Sequence, residues 1–287
     1  MNATFEIIDA ADLSPAEVLT VINDAFGRDE TEDWYRWKHL DGPWGASTGV
    51  AAVDEEGPVG VRLLLPWRFR RGDETVLGHR ATEAATVPRA QGRGVFTALN
   101  RWMMEAVPTG LIFSTPNRKS RGGYLKLGWR EIAHVHHRWE LALRPRRAAV
   151  IPAISAEIWR TDWDVDALRW RADARSGHHY LTESSGHTVL VYRLLRRRGI
   201  RVAAPTGFAG NREEATRLWG RMIQRSAARL LLLPESQPTP SPSRRLAWHR
   251  GQSLLLGWAP STSPLAAMDG DPMKGTPWTA ADLEGVI

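Results

Sequence analysis

The sequence predicts an α/β fold: a mixed β-sheet flanked by helices, present as two tandem copies. Three observations predict it. β-rich and helical runs alternate along the 287 residues. In the first half, a hairpin is followed by a strand–helix–strand–helix order. "DWYRWKHL" (33–40) is echoed by "DALRWRAD" (166–173), and β-rich sequence follows each.

The elements of the first half read as follows. "FEIIDA" is a strand. "SPAEVLTVINDAF" is a helix, with Ser14 as N-cap, Pro15 at the first helical position and apolar residues at helical spacing. "DWYRWKHL" is a second, short helix. "GVAAVDEEGPVGVRLLLPWRF" is a hairpin around Glu-Gly-Pro. "TVLGHRATEAATV" is a long strand, 95–106 a helix, "GLIFS" a buried strand, 119–127 a helix, and "WREIAHVHHRWELAL" more strand. "RPRRAAVIPAIS" (144–155) reads as a linker, which divides the chain into domains at 1–145 and 150–287. In the second copy, "TVLVYRLL" and "IRVAAPTGF" are strands, about 211–225 a helix, and "ARLLLLP" and "SLLLGWA" strands. "PESQPTPSPS" (234–243) is a surface loop inside it.

Composition narrows the class. The net charge is +6. Residues 1–150 carry 20 Lys+Arg against 19 Asp+Glu, and 151–287 carry 18 against 13. The basic excess of the second half reads as a solvated face, because no nucleic-acid signature accompanies it. There is no cysteine, hence no disulfide, thiol nucleophile or thiolate metal site. The N-terminus has early acids and no apolar stretch, and no run is long enough for a membrane span. A cytoplasmic protein is the expectation.

The chemistry concentrates at "ATVPRAQGRGVFTALNRWMMEA" (85–106), where a strand hands over to a helix through two glycines and two arginines. The first amides of a helix have no intrahelical acceptor, and the helix dipole is positive there. Glycines let phosphate approach the backbone, and Arg89 and Arg93 add cationic donors. The loop suits a pyrophosphate. It is neither a Walker loop, since Lys-Ser/Thr is missing, nor the dinucleotide fingerprint, since the third glycine is absent. Downstream, "STPNRKSRGGYLKLGWREI" (114–132) holds Asn117, then Tyr124, then Gly128-Trp129.

Together these resemble the GNAT superfamily, the acyl-CoA-dependent N-acyltransferases. Arg89-Ala90-Gln91-Gly92-Arg93-Gly94 matches that family's Arg/Gln-x-x-Gly-x-Gly/Ala loop, and Asn117, Tyr124 and Gly128-Trp129 follow in the family's order and spacing. The resemblance covers about residues 5–142. It implies a GNAT-type sheet and acetyl-CoA or another acyl-CoA as co-substrate, with no metal. The backbone of Gln91, Gly92, Arg93, Gly94, Val95 and Phe96 would bind the pyrophosphate, and Thr86 and Val87 would pair with the pantetheine amides. Asn117 would add a polar contact. Tyr124 would protonate or hydrogen-bond the leaving thiolate.

A base must take a proton from the acceptor ammonium. Glu83 is the only carboxylate on its strand, on one face with Ala85 and Val87 if alternation holds. It is the first candidate, against a structural ion pair with Arg80 or another arginine. His79, on the same face, is the second. "HVHH" (134–137) lacks the carboxylate or thiolate partners of a metal site. Asp24, Asp29, Glu30, Glu32 and Asp33 precede Trp34, Trp37 and Trp44 and favour a cationic small-molecule acceptor, against a solvated acidic loop with its tryptophans in the core.

The second copy lacks the loop. It reads "APTGFAGNREEATRLW" there, with Glu213 and Glu214 where phosphate would bind, so it is expected to leave CoA unbound and to be a degenerate lobe. Two other readings stay open: a Fem-type aminoacyl-tRNA-dependent transferase and a non-catalytic CoA-binding sensor. The sequence leaves the oligomeric state, the acceptor amine and the acyl chain undetermined.

Overall fold

The computed structural model describes residues 5–107, 110–143, 150–234, 236–240, 245–259, 279 and 282. Part of the expected linker (144–149) and of the proline-rich loop (235, 241–243) lies outside them. The chain forms two compact units that are not contiguous in sequence. One holds residues up to Arg68, Val76–Ile132 and a segment beginning at Leu255. The other holds Phe69–Thr75, Ala133–Leu254 and the described residues Thr279 and Asp282. This differs from a single cut at 145–150. The expectation followed chain order, whereas unit membership follows strand pairing.

In the first unit, β1 (Glu6–Asp9), β2 (Thr48–Asp54), β3 (Gly57–Arg71), β4 (Glu74–Thr86), β5 (Ile112–Ser114) and the end of β12 (Arg245–Trp258) neighbour one another in that order. β2 and β3 form the expected hairpin, with Asp54 opposite Gly57 at its turn. The register of β12 on β5 is Leu256 opposite Ser114 and Trp258 opposite Ile112, antiparallel. Helix α1 (Pro15–Phe26) has the expected start: Ser14 Oγ accepts from Glu17 N, the Glu17 carboxylate accepts from Ser14 N, and Pro15 is at the first position. It buries Val18, Leu19, Val21 and Ile22.

Helix α2 (Glu32–Tyr35) is capped by Thr31 and runs on as a π-helical turn, Arg36–Leu40. Trp34 and Trp37 are buried. Those two tryptophans belong to the core and are no exposed stacking platform. Glu32 and Asp33 occupy the first turn of α2, where negative charge is favourable. Helix α3 (Val95–Ala106) packs its start against β3 at Gly60, where a Cβ would stand 2.5 Å from Val95 Cγ1 and 3.3 Å from the Ala85 carbonyl. Helix α4 (Arg121–Lys126) follows β5.

In the second unit, β6 (Arg130–Leu141, from Ala133 on), β11 (Leu230–Pro234), β10 (Ile200–Ala209), β9 (Thr188–Arg197) and β8 (Tyr180–Ser185) run in that spatial order. β7 (Arg160–Thr161) pairs with the end of β3. Helix α5 (Val165–Arg171), the predicted echo of α2, is capped by Asp164. Helix α6 (Arg212–Ser226) lays Leu218, Trp219 and Met222 on Leu190, Tyr192, Ala203, Leu231 and Leu233.

The units share one local pattern. β4 runs parallel to β5 only at His79–Ile112 and Arg80–Phe113, and β10 runs parallel to β11 only at Val202–Leu230 and Ala203–Leu231. Each first strand then loses regularity. β4 does so at Glu83, with φ 46°, and β10 at a bulge between Pro205 and Gly207.

The Gly60 contact is tight enough to test. Gly60→Ala must push the α3 start off the sheet, so it is expected to destabilise the fold by about 1–3 kcal/mol. Urea denaturation reads this, and a loss below about 0.5 kcal/mol would mean that the helix start yields freely.

Candidate active site

Strand β4 continues six residues past its last pair with β5, so Ala81–Thr86 has no ladder partner in that strand. The junction is closed by short side-chain links: Ser114 Oγ to the Ala81 carbonyl, 3.3 Å, and Arg80 Nη2 to Thr115 Oγ1, 3.0 Å. Beyond it the loop 87–94 leads into α3. Gly94 is the helix N-cap, at φ 84°, and provides no side-chain cap. Gly92 is also left-handed, at φ 79°, and a Cβ at either glycine would meet nothing within 4 Å. Backbone amides are thus presented to open space at the positive end of a 12-residue helix.

Not every loop amide is turned outward. Gln91 N donates to the Pro88 carbonyl and Arg93 N to that of Ala90, leaving Gly92, Gly94, Val95 and Phe96 as the outward set. At the strand edge, Val87 N donates to the Val59 carbonyl, its own carbonyl accepts from Ala90 N, and the Thr86 carbonyl accepts from Gln91 Nε2 at 3.3 Å. Thr86 and Val87 therefore have fewer free groups than their place on the edge suggested. The loop folds back on them.

The two loop arginines are tied to the β2–β3 turn. Asp54 accepts from Arg89 Nη1 at 2.8 Å and from Arg93 Nη1 at 3.0 Å. The Arg89 hydrogen bond, helped by Arg93, holds the Asp54 carboxyl down to about 2. The sign follows: a depressed carboxyl stabilises the fold above its ordinary value and loses that effect only as pH falls through about 2. The clamp is therefore intact at every physiological pH.

Tyr124, in α4, is 1% exposed. Its ring meets Phe96 edge-on at 5.3 Å and Trp129 at 4.7 Å, which ties it to the first turn of α3. Its hydroxyl accepts from Arg62 Nη2 at 2.6 Å. Asn117 sits in the turn before α4, where Oδ1 accepts from Lys119 N and Ser120 N at 2.9 and 3.0 Å. That turn leaves the Asn117 Nδ2 donors to other partners.

Glu83 is buried and pairs with a lysine, not with the arginine of the ion-pair alternative. Lys38 Nζ, from the π-helical turn, is 2.5 Å from Glu83 Oε1, and His39 Nε2 is 3.8 Å from it. Lys38 also lies 4.9 Å over the Trp34 ring. The left-handed backbone at Glu83 breaks the strand alternation, so sharing a face with Ala85 and His79 no longer follows from spacing. His79 belongs to the part of β4 still paired with β5, and its N–H donates to the Leu111 carbonyl. Burial lowers its pKa, which favours the neutral ring. His134 and His136 lie on β6, and no group of three metal-ligating side chains occurs among the described residues.

No protein-family model matches the sequence, and no curated protein matches it. Solved structures do. A GCN5-related N-acetyltransferase from Anabaena variabilis superposes with TM-score 0.63 at 10% identity over 88% of this chain and 72% of its own. One from Kribbella flavida gives 0.62 at 17% over 92% and 72%. Eis1 from Mycobacterium abscessus gives 0.57 at 14% over 88% and 73%.

The fold is the GNAT fold. Within it, the loop 89–96, Glu83 and Tyr124 all belong to the first unit, along the free stretch of β4 and the helices beside it. Three residues beside this stretch escaped the sequence reading: Lys38, Asp54 and Arg62. Arg62 left a signal, as the lone charge in the apolar run "VGVRLLLPW". Lys38 and Asp54 left none, since their partners are distant in sequence.

Breaking the buried pair from the lysine side should be severe. Lys38→Met strands the Glu83 carboxylate and is expected to destabilise the protein by about 3 kcal/mol. Lys38→Met with Glu83→Gln should recover part of that loss. A single variant as stable as the parent in guanidinium titration would remove the pair from the structural account.

Proposed function

We propose that this chain is an acyl-CoA-dependent N-acyltransferase, with acetyl-CoA as its simplest donor and the amine of a small molecule as acceptor. The observation that carries this reading is the ring contact between Phe96 and Tyr124. It holds a phenol beside the first turn of an uncapped helix flanked by two arginines. Anion-binding amides at one end and a proton donor next to them suit a substrate with a diphosphate and a reactive thioester.

In this reading, the amides of Gly92, Gly94, Val95 and Phe96, with Arg89 and Arg93, bind the pyrophosphate. The free stretch of β4 and Asn117 Nδ2 line the pantetheine arm. Tyr124 donates a proton to the leaving sulfur, and Glu83 takes one from the attacking amine, directly or through water. No protein nucleophile is needed, because the amine attacks the thioester in a ternary complex. Thiol release from acetyl-CoA and longer acyl-CoAs, across amino sugars, polyamines, amino acids and aminoglycosides, tests the function.

Among the described residues, the second unit has no comparable helix start. Asn211 Oδ1 caps Glu213 N and Glu214 N, and Gln237 Nε2 donates to the Pro205 carbonyl at 3.1 Å, within the bulge of β10. Its proposed role excludes CoA binding.

Two loop variants should move CoA affinity in opposite directions. Gly94→Glu sets a carboxylate in the space where phosphate would lie and should abolish binding. Asp54→Asn removes a negative charge that competes for Arg89 and Arg93, and should tighten CoA roughly two- to tenfold at low salt, with the gain fading as salt rises. Unchanged calorimetric affinity in both folded variants would locate CoA elsewhere.

Turnover should separate the acid from the base. Tyr124→Phe is expected to lower kcat roughly ten- to a thousandfold with CoA affinity nearly intact. Glu83→Gln should cut turnover at neutral pH and recover in part at high pH, where more of the acceptor amine is already neutral. Loss without recovery would reduce Glu83 to a structural partner of Lys38 and bring His79 forward.

A further inference from the structure

Arg62 is a charged side chain among the apolar residues of β3 and is 2% exposed. Nη1 donates to the Thr82 carbonyl at 3.1 Å and Nη2 to Tyr124 Oη at 2.6 Å, and the guanidinium carbon lies 5.3 Å from the Tyr124 ring centre. Among the described residues no carboxylate is within ion-pair distance of it, and its buried Nε has no acceptor. A guanidinium stays cationic at any pH where proteins fold, and burying one without a counter-ion is strongly unfavourable. An ordinary core position would not keep it.

The phenol supplies the other half of the argument. A guanidinium only donates, so in this bond Tyr124 Oη must be the acceptor. The hydroxyl's own proton is left to place, and among the described residues nothing accepts it. Nη1, held on Thr82, fixes the fork, so the accepting lone pair of Tyr124 is fixed as well.

We propose that Arg62 is a positioning residue for Tyr124. It occupies the phenol oxygen from inside the protein, so the O–H points away from it, toward the thioester sulfur. Its charge then offsets the phenolate left when that proton departs. The inference rests on the acyltransfer reading. As the C–N bond forms and the C–S bond breaks, sulfur keeps the bonding pair and takes the Tyr124 proton, giving free thiol. The attacking nitrogen loses its proton to the base or to water. The phenolate, beside Arg62, regains a proton from solvent before the next turnover.

The test is a double-mutant cycle with acetyl-CoA and any acceptor amine that the wild type uses. Arg62→Met is expected to lower kcat roughly ten- to a hundredfold, with the KM for acetyl-CoA within about twofold. In a Tyr124→Phe background the same change should cost less than about twofold, because the group through which Arg62 acts is gone. Arg62→Lys, which keeps the charge, should restore part of the rate and serves if the Met variant fails to fold. Equal fractional losses in both backgrounds would overturn the proposal. A second readout needs no catalysis. The Raman tyrosine doublet, taken as wild type minus Tyr124→Phe, should report a strongly accepting hydroxyl and lose that character in Arg62→Met. An unchanged doublet would overturn the proposal. A wild type that releases no thiol would sink the acyltransfer reading, while the doublet would still decide whether Arg62 holds the phenol.

Discussion

Glu83 adopts a left-handed backbone in the middle of a strand, at a cost of roughly 1–2 kcal/mol for a residue with a Cβ. Lys38 meets its carboxylate in a buried environment, 2.5 Å away, and holds the side chain in place. The kink is therefore pinned from outside the sheet, by a side chain from the turn after α2. The neighbouring features lie around it. β4 leaves the direction of β5, a stretch of its backbone is released from the ladder, and the loop 87–94 is carried out to meet α3.

The cations around this cleft are handled in three different ways. Lys38 has a carboxylate of its own. Arg89 and Arg93, both partly exposed, share Asp54, and an arriving anion can compete for them. Arg89 and Arg93, nearest solvent, are balanced and exchangeable, whereas Arg62, 2% exposed, meets a carbonyl and a phenol and, among the described residues, no carboxylate within ion-pair distance. Such a gradient favours an anion that develops inside the cleft over one that merely visits its rim.

Much of this was legible from local sequence. Ser14, Pro15 and Glu17 announced α1, and the spacing from Arg89 to Gly94 and on to Tyr124 announced the loop and the helix beside it. Helix starts and tight turns are decided by neighbours, and neighbours are visible in a string. Pairing across the fold is not. Nothing near Lys38 names Glu83, nothing near Asp54 names two arginines on another element, and period-two alternation cannot foresee a left-handed glutamate. The unit boundaries were hidden for the same reason. The edge of β5 is filled by Leu256–Trp258, whose apolar run would suit many sheet edges.

That last pairing has a consequence for how the chain reaches its native state. Ser114 leaves the ribosome long before Leu256 exists, so β5 must wait with one row of backbone groups uncovered while most of the second unit is synthesised. The usual vectorial order, in which an N-terminal domain is finished before the next begins, is closed to this protein. Its first unit cannot be completed before most of the second has been made. During that interval the open strand edge is a sticky surface for other nascent chains, and the time spent there is set by translation speed more than by any intrinsic folding rate.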